Sequence, residues 1–250
     1  MTTEHKNFEP NSSLKGKPYK AKNVRSARGN KAREKLKTAA MKALEKVGYN
    51  QLRVIDVTEE AGVAAGLFYH YFDDLKTLTL EVLTDFLERF TEIEPGKSVE
   101  NKDDLFSLYL RHFELAVDNY SRHPGLMRCL LQFSDEVPEF HERRRESTQH
   151  QMNWLARALP KMFPDSQLAE EEAMLMVCAL AGTSEILLRN YYISREPALR
   201  ACKLNNAEMA EFLTIMFYRG LMLESPPREK LRFSNKLTKV THEFLLRRIT

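Results

Sequence analysis

The sequence predicts an all-α protein, and three observations carry the prediction. A chain of 250 residues with 43% apolar and 10% aromatic side chains can close a substantial core. Its 9 glycines and 10 prolines are too few for the dense turns of sandwiches and barrels. Apolar residues return every three or four positions along most of its length, the period of amphipathic helices. The three cysteines, Cys129, Cys178 and Cys202, form neither a disulfide framework nor a C-x-x-C pair, which points to a reducing compartment. The N-terminus is polar and charged rather than a signal core, and the longest apolar run, Ala173 to Gly182, is too short for a bilayer. A cytoplasmic protein with no membrane partner is expected.

Charge is unevenly distributed although the net charge is only +3. Between residues 15 and 35, Lys15, Lys17, Lys20, Lys22, Arg25, Arg28, Lys31, Arg33 and Lys35 face Glu34 alone. Residues 36–92 reverse the sign, with six basic residues against ten carboxylates. From Pro226 onward seven basic residues face Glu229 and Glu243. Residues 1–29, with Gly16, Pro18 and Gly29 and few large apolar side chains, are expected to form a flexible basic arm. Such an arm either solubilises the chain or lies along nucleic acid, and the second reading needs a binding fold behind it.

The elements that follow supply one. Ala32, Leu36, Ala39, Ala43 and Val47 mark one stripe of a first helix, with Asn30 as its expected cap and Gly48 at its stop. A shorter helix from about Val54 to Ala61 buries Val54, Val57 and Ala61, and Gly62 breaks it. The run Ala65 to Phe72 is a third helix too brief to stand alone, so it docks on the other two. Two short helices joined by a tight glycine turn and packed on a longer one form a helix-turn-helix, which presents its last helix to a major groove.

The stretch Val47-Gly48-Tyr49, then Val54 through Phe72, then Leu78, closely resembles the DNA-binding domain of TetR-family transcriptional regulators. The glycine turn Gly62-Val63-Ala64, the ending Tyr69-His70-Tyr71-Phe72 and the acidic start of the next helix align in order over roughly residues 30–92. The resemblance implies a homodimer on a double-stranded operator, a divergent helical ligand domain, and loss of operator affinity when a small-molecule effector binds. It places Ala64, Ala65, Gly66 and Leu67 at the reading end of the recognition helix, where the family often carries hydroxylated, polar or basic residues. Such side chains offer base edges no hydrogen bonds, although Ala and Leu can touch a thymine methyl. Lys76 stands one position after the place where the family tends to carry Lys, which is Leu75 here. By the same resemblance Tyr69 and His70 face phosphates; on their residue types alone they equally close the small core. Tyr49 and Arg53 either touch phosphates or, for Tyr49, staple the first helix. An acidic module poor in base-reading groups needs further cations, so Arg25, Arg28 and Lys31 are assigned to DNA, the arginines to a narrow flanking minor groove.

A fourth helix capped by Asp73 or Asp74 reaches about Glu92, and Glu94 to Ser98 reads as a connection, which divides residues 30–92 from a helical ligand-binding and dimerisation domain at 93–225. There Leu105, Leu108, Phe113, Ala116, Val117 and Tyr120 trace a helix ended by His123-Pro124-Gly125, and another runs from Leu126 toward Phe133. Pro138 opens a long helix whose inner line is Phe140, Arg144, Thr148, Met152, Leu155, Leu159 and Met162. Arg144 and Thr148 lie either at a solvated end or at a cavity of the kind that binds small molecules. Phe113, Met127, Phe133 and Trp154 are the candidate apolar wall, or ordinary core. Phenylalanine and methionine in such a wall suggest an apolar or amphipathic effector.

Residues 170–192 and 206–223 are apolar nearly all round and need two buried faces. One face meets its own domain and the other a second subunit through Leu180, Ala181, Leu187, Tyr191, Phe212, Met216 and Phe217; a thick monomeric core is the alternative. Residues 226–250 form a basic extension with a weaker helical stripe. An all-helical enzyme is the main rival, but no paired Glu-x-x-His, G-x-S-x-G or phosphate-cradling glycine loop is present, and no metal or cofactor is expected. A nonspecific architectural DNA binder is the second rival.

Overall fold

The computed structural model of the protein describes residues 27–88 and 102–233, which are mainly helical and contain no strand. Arg25 and the remainder of the arm up to residue 26, the expected connection at 94–98 and the tail from 234 onward lie outside the described residues. Helix α1 spans Ala27–Val47. Asn30 is therefore inside it rather than its cap, and residues 27–29 belong to the helix and not to an arm, because Ala27 and Arg28 favour helix strongly enough to extend it. Leu36, Ala39, Ala40, Ala43 and Leu44 are buried, whereas Val47 is exposed. The helical period of 3.6 carries the stripe from Leu36 through Ala40 to Leu44, away from Val47.

After α1, Gly48 takes φ 70, a left-handed value that a side chain would strain. Helix α2 spans Val54–Ala61 and ends on Gly62 in the αL conformation. Val57 and Thr58 are its buried residues, and the Thr58 hydroxyl donates to the Val54 carbonyl at 3.1 Å. Helix α3 spans Ala65–Tyr71 and sinks Phe68 and Tyr71, with Phe72 behind them. Helix α4 spans Leu75–Glu88; Asp74 caps it by accepting the Thr77 amide at 2.7 Å.

Ion pairs bind α4 to α1. Arg33 forks onto Glu81 and lies 5.0 Å over the Phe72 ring, while Lys37 bridges Glu81 and Asp85. Burial pulls the Lys37 ammonium down, but hydrogen bonds to Asp85 and Glu81 outweigh it and hold the group above its ordinary range.

The remaining helices are α5 (Lys102–Arg122), α6 (Pro124–Glu136), α7 (Pro138–Met162), α8 (Glu170–Leu188), the single turn α9 (Pro197–Arg200) and α10 (Asn206–Met222). Helix α8 runs into a π-turn at Arg189–Ile193, so the expected single helix over 170–192 is two pieces. Asn205 caps α10 by accepting the Glu208 amide at 3.0 Å. Of the extension expected past Pro226, the described part holds a 3-10 turn at Arg228–Lys230 and an irregular run to Phe233, and residues 234–250, with most of the expected helical stripe, lie outside the described residues. The buried carboxylate of Glu211 accepts the amides of Arg232 and Phe233 at 2.8 and 2.9 Å and thereby takes the donors that a helix would use.

One joint ties the first three helices to the rest. At the start of α6, Pro124 has no N–H, and the amides of Gly125 and Leu126 both donate to the Glu45 carboxylate of α1 at 2.9 Å. A methyl group on Gly125 would meet the backbone of Glu45. Gly125→Ala is expected to cost about 1–3 kcal/mol by overpacking, and Glu45→Ala about 1 kcal/mol through the lost cap. Unchanged denaturant midpoints for both variants would remove the joint from the account.

Candidate functional site

The geometry of the first three helices turns one end of α3 outward. Ala64 is extended before the helix, and Ala65 and Gly66 are exposed with it, while Leu67 is half-buried. Tyr69 and His70 project to solvent, whereas their neighbours Phe68, Tyr71 and Phe72 close the core. Tyr69 is 58% exposed, which sets aside the core-closing reading for it. The exposed surface of α3 thus combines small residues at its start with an aromatic hydroxyl and an imidazole near its end.

Cations around this surface divide into free and committed groups. Lys31 and Lys76 are exposed and form no ion pair among the described residues. Arg28 lies in α1, but its side chain lies outside what the structure describes. Arg53 is exposed yet clasped by Asp56, with Nη2 2.7 Å from Oδ1 and Nε 3.1 Å from Oδ2. That hydrogen bond raises the guanidinium and lowers the carboxyl relative to their ordinary values. Lys42 and Lys46 both turn to Glu60 on α2, at 3.0 and 3.5 Å. Arg33, counted with the arm in the sequence, faces α4 instead. Tyr49 stands edge-on to Phe133 of α6 with ring centroids 4.6 Å apart, so it braces the joint behind α3.

Behind the head, α4 to α8 and α10 surround a cavity of about 250 Å³. Phe113, Met127, Arg144, Thr148 and Trp154 line it. Phe133 does not, because its ring is taken up between Tyr49 and Phe140. Arg144 and Thr148 face this space rather than a solvated helix end. The Arg144 guanidinium pairs with Glu185 at 2.6 Å and the Thr148 hydroxyl donates to the Arg144 carbonyl at 3.0 Å. Tyr120, which the sequence places on the inner stripe of α5, also lines it, as do Tyr109 and His112, which that stripe leaves out. The positions 109, 112, 116 and 120 share one helical face, the signal that would have found them.

Of the residues assigned to a subunit interface, Ala181 and Phe217 turn into the cavity. Tyr191 is buried, its hydroxyl donating to the Leu204 carbonyl at 2.8 Å, and Leu180 packs against Gly220. Leu187 and Phe212 are half-buried against the core. Met216 alone of the seven is exposed, at 45%, and it shares the outward side of α8 and α10 with Leu175 at 73% and Ile186 at 61%. The apolar character of both helices is satisfied inward by the cavity and core, and no described residue covers this outer stripe. No described helix is long and apolar enough to cross a membrane.

Residues 36–82 match the family model described as bacterial regulatory proteins, tetR family. The chain is 24% identical over 206 residues to the HTH-type transcriptional regulator BetI of Cronobacter sakazakii (strain ATCC BAA-894), covering 79% of this chain and 94% of the relative. Among solved structures, the fatty acid degradation regulator FadR from Bacillus halodurans superposes with a TM-score of 0.56 at 17% identity, over 80% of this chain and 98% of that one. A TetR-family transcriptional regulator from Bordetella parapertussis 12822 gives 0.54 at 17% identity, over 78% and 98%. These likenesses at low identity extend the fold beyond the matched head.

His112 lines the cavity half-buried, and its desolvation there lowers its pKa below the ordinary 6.5. The folded chain therefore holds it neutral while the unfolded chain takes up a proton, so its contribution to stability falls as pH drops below that value. Between pH 7 and pH 5 the wild-type protein should lose more stability than His112→Phe in denaturant titrations. Parallel losses would show that His112 is not held neutral.

Proposed function

From a chain that belongs to the TetR family of transcriptional regulators through the helix-turn-helix matched at residues 36–82, we propose a ligand-responsive repressor that binds its operator as a homodimer. The observation that carries the reading is one connected construction. Helix α3 presents an outward face, a partly open and largely apolar cavity lies behind the head, and α6 joins α1 to that cavity. Its first amides bind Glu45 of α1, and its Met127 and Leu130 line the cavity. An occupant that shifts α6 moves α1 with it, and in a dimer that alters the separation of two recognition helices.

We assign residues 30–92 to the DNA-binding head and 93–225 to the effector and dimerisation body. Ala64, Ala65, Gly66 and Leu67 touch base edges and thymine methyls, while Tyr69, His70, Lys31 and Lys76 meet phosphates. Arg53 reaches a phosphate only by leaving Asp56. With so little direct readout, affinity rests on the basic arm, and Arg25 and Arg28 follow the minor groove beside the site. Phe113, Met127, Arg144, Thr148 and Trp154 hold the effector. A second copy of the chain covers the outer stripe, where Leu175, Ile186 and Met216 meet their equivalents around Ala179 and Gly182, whose small side chains permit close approach.

Removing residues 1–26, which leaves α1 whole, should weaken operator binding and flatten its salt dependence. Lys76→Gln should lower the log–log salt slope by about 0.9, the effect of one lost phosphate contact. Identical affinity and slope after truncation, measured by fluorescence anisotropy, would refute the role of the arm. Competition by random DNA equal to that by the operator would favour the architectural alternative.

Ile186→Glu should halve the solution mass by light scattering and abolish operator binding at nanomolar protein. A charge at Phe217 is no test of the interface, because it would enter the cavity. A dimeric mass for Ile186→Glu would place the second subunit elsewhere.

A further inference from the structure

The geometry points to an uncharged, largely apolar effector carrying one hydrogen-bonding oxygen, a carbonyl or hydroxyl, held by Tyr109 and His112. This inference rests on the reading of the cavity as the effector site and names the chemistry that site selects.

Most of the wall is aliphatic and aromatic. Its one cation, Arg144, is paired with Glu185 at 2.6 Å, so the two cancel. A carboxylate that recruited Arg144 would strand Glu185 beside the cavity, and an ammonium that recruited Glu185 would strand Arg144. Either exchange leaves a partly buried charge without its partner, which is costly.

Tyr109 and His112 are different. They stand one helical turn apart on α5, with ring centroids 6.4 Å apart, and both line the cavity. The Tyr109 ring is fixed against Phe217 at 4.4 Å, and His112 stands edge-on to Phe113 at 5.3 Å. Neither the phenol nor the imidazole has a hydrogen-bond partner among the described residues, although burial raises the pKa of the first and lowers that of the second. Both are therefore neutral polar groups on an otherwise apolar wall, and a ligand that displaced water from them without offering a partner would leave a hydrogen bond unmade, which is unfavourable. A ligand oxygen satisfies the pair: the phenol donates to it, and the neutral imidazole donates to or accepts from it according to tautomer. A full negative charge there would lose its hydration and gain no cation in return.

Trp154 lines the same cavity and is the chain's only tryptophan, so its emission reports occupancy directly. The test titrates the full-length protein with four probes built on a nine-carbon chain: 2-nonanone, nonanoate, nonyltrimethylammonium and the oxygen-free 1-nonene. The expected result is that the ketone binds at least tenfold more tightly than either ion. Tyr109→Phe and His112→Phe should each weaken ketone binding by about fivefold to tenfold and leave 1-nonene unchanged. Tighter binding of nonanoate or the ammonium, or equal ketone binding by wild type and Tyr109→Phe, would overturn the inference while leaving the effector site intact. Selective ketone binding that never releases operator DNA would overturn the regulatory reading and uphold the selectivity. No Trp154 response to any probe would overturn both.

Discussion

The Glu45 carboxylate is the contact on which the arrangement of the molecule depends. A helix start leaves several amides without partners, and α6 resolves each of them differently. The His123 amide goes back to Asn119 at 2.9 Å, Pro124 has none to offer, and Met127 reaches the His123 carbonyl at 2.9 Å. Gly125 and Leu126 remain, and a residue 80 positions earlier takes both. A carboxylate at the positive end of a helix is favoured by the peptide dipoles as well as by the hydrogen bonds. The backbone approach that this requires is so close that only glycine fits at 125. Tyr49 against Phe133 and the capped amides therefore form one continuous joint between the end of α1 and the length of α6.

Electrostatics inside the head explains why its surface is sparse. Arg33, Lys37, Lys42, Lys46 and Arg53 each meet a carboxylate of the same small unit. These pairs orient α2 and α4 on α1, but they withdraw positive charge from the face that would meet a polyanion. Exposed pairs such as Lys46 with Glu60 add little stability. The Arg33–Glu81 pair is mostly shielded and stacks on Phe72, so it holds the start of α1 against α4. Long-range attraction is thus left to cations on the flanks of the head.

Local chemistry was legible in the sequence and distant pairing was not. Gly48, Gly62 and Asp74 announce the boundaries of the first helices because turn and cap chemistry lies within a few residues of where it acts. The same locality misplaces the start of α1, since Asn30 is as good a capping residue as many that do cap. Burial of Ala40 and Leu44 in place of Val47 follows from a drift of the helical stripe that a simple three-or-four count does not resolve. Glu45 reads as one more surface carboxylate until Gly125 is brought to it. Trp154 and Arg144 were placed as cavity candidates by residue type, whereas Phe133 has the right type and the wrong surroundings. Tyr191 and Phe217 are outward in a pattern reading because periodicity shows that a helix has two apolar faces without showing which neighbour covers which.

Phe217 and Met216 are consecutive on α10, about 100° apart around its axis, and they serve different surroundings: one lines the cavity, the other is exposed. Helix α8 repeats the device with Ala181 inward and Gly182 exposed. Any bulk added or removed on the inner side moves a helix whose outer side is only one residue away. On the proposed reading of cavity and outer stripe, a substitution that reshapes one also displaces the other, so effector preference and subunit pairing would drift together among descendants of this gene.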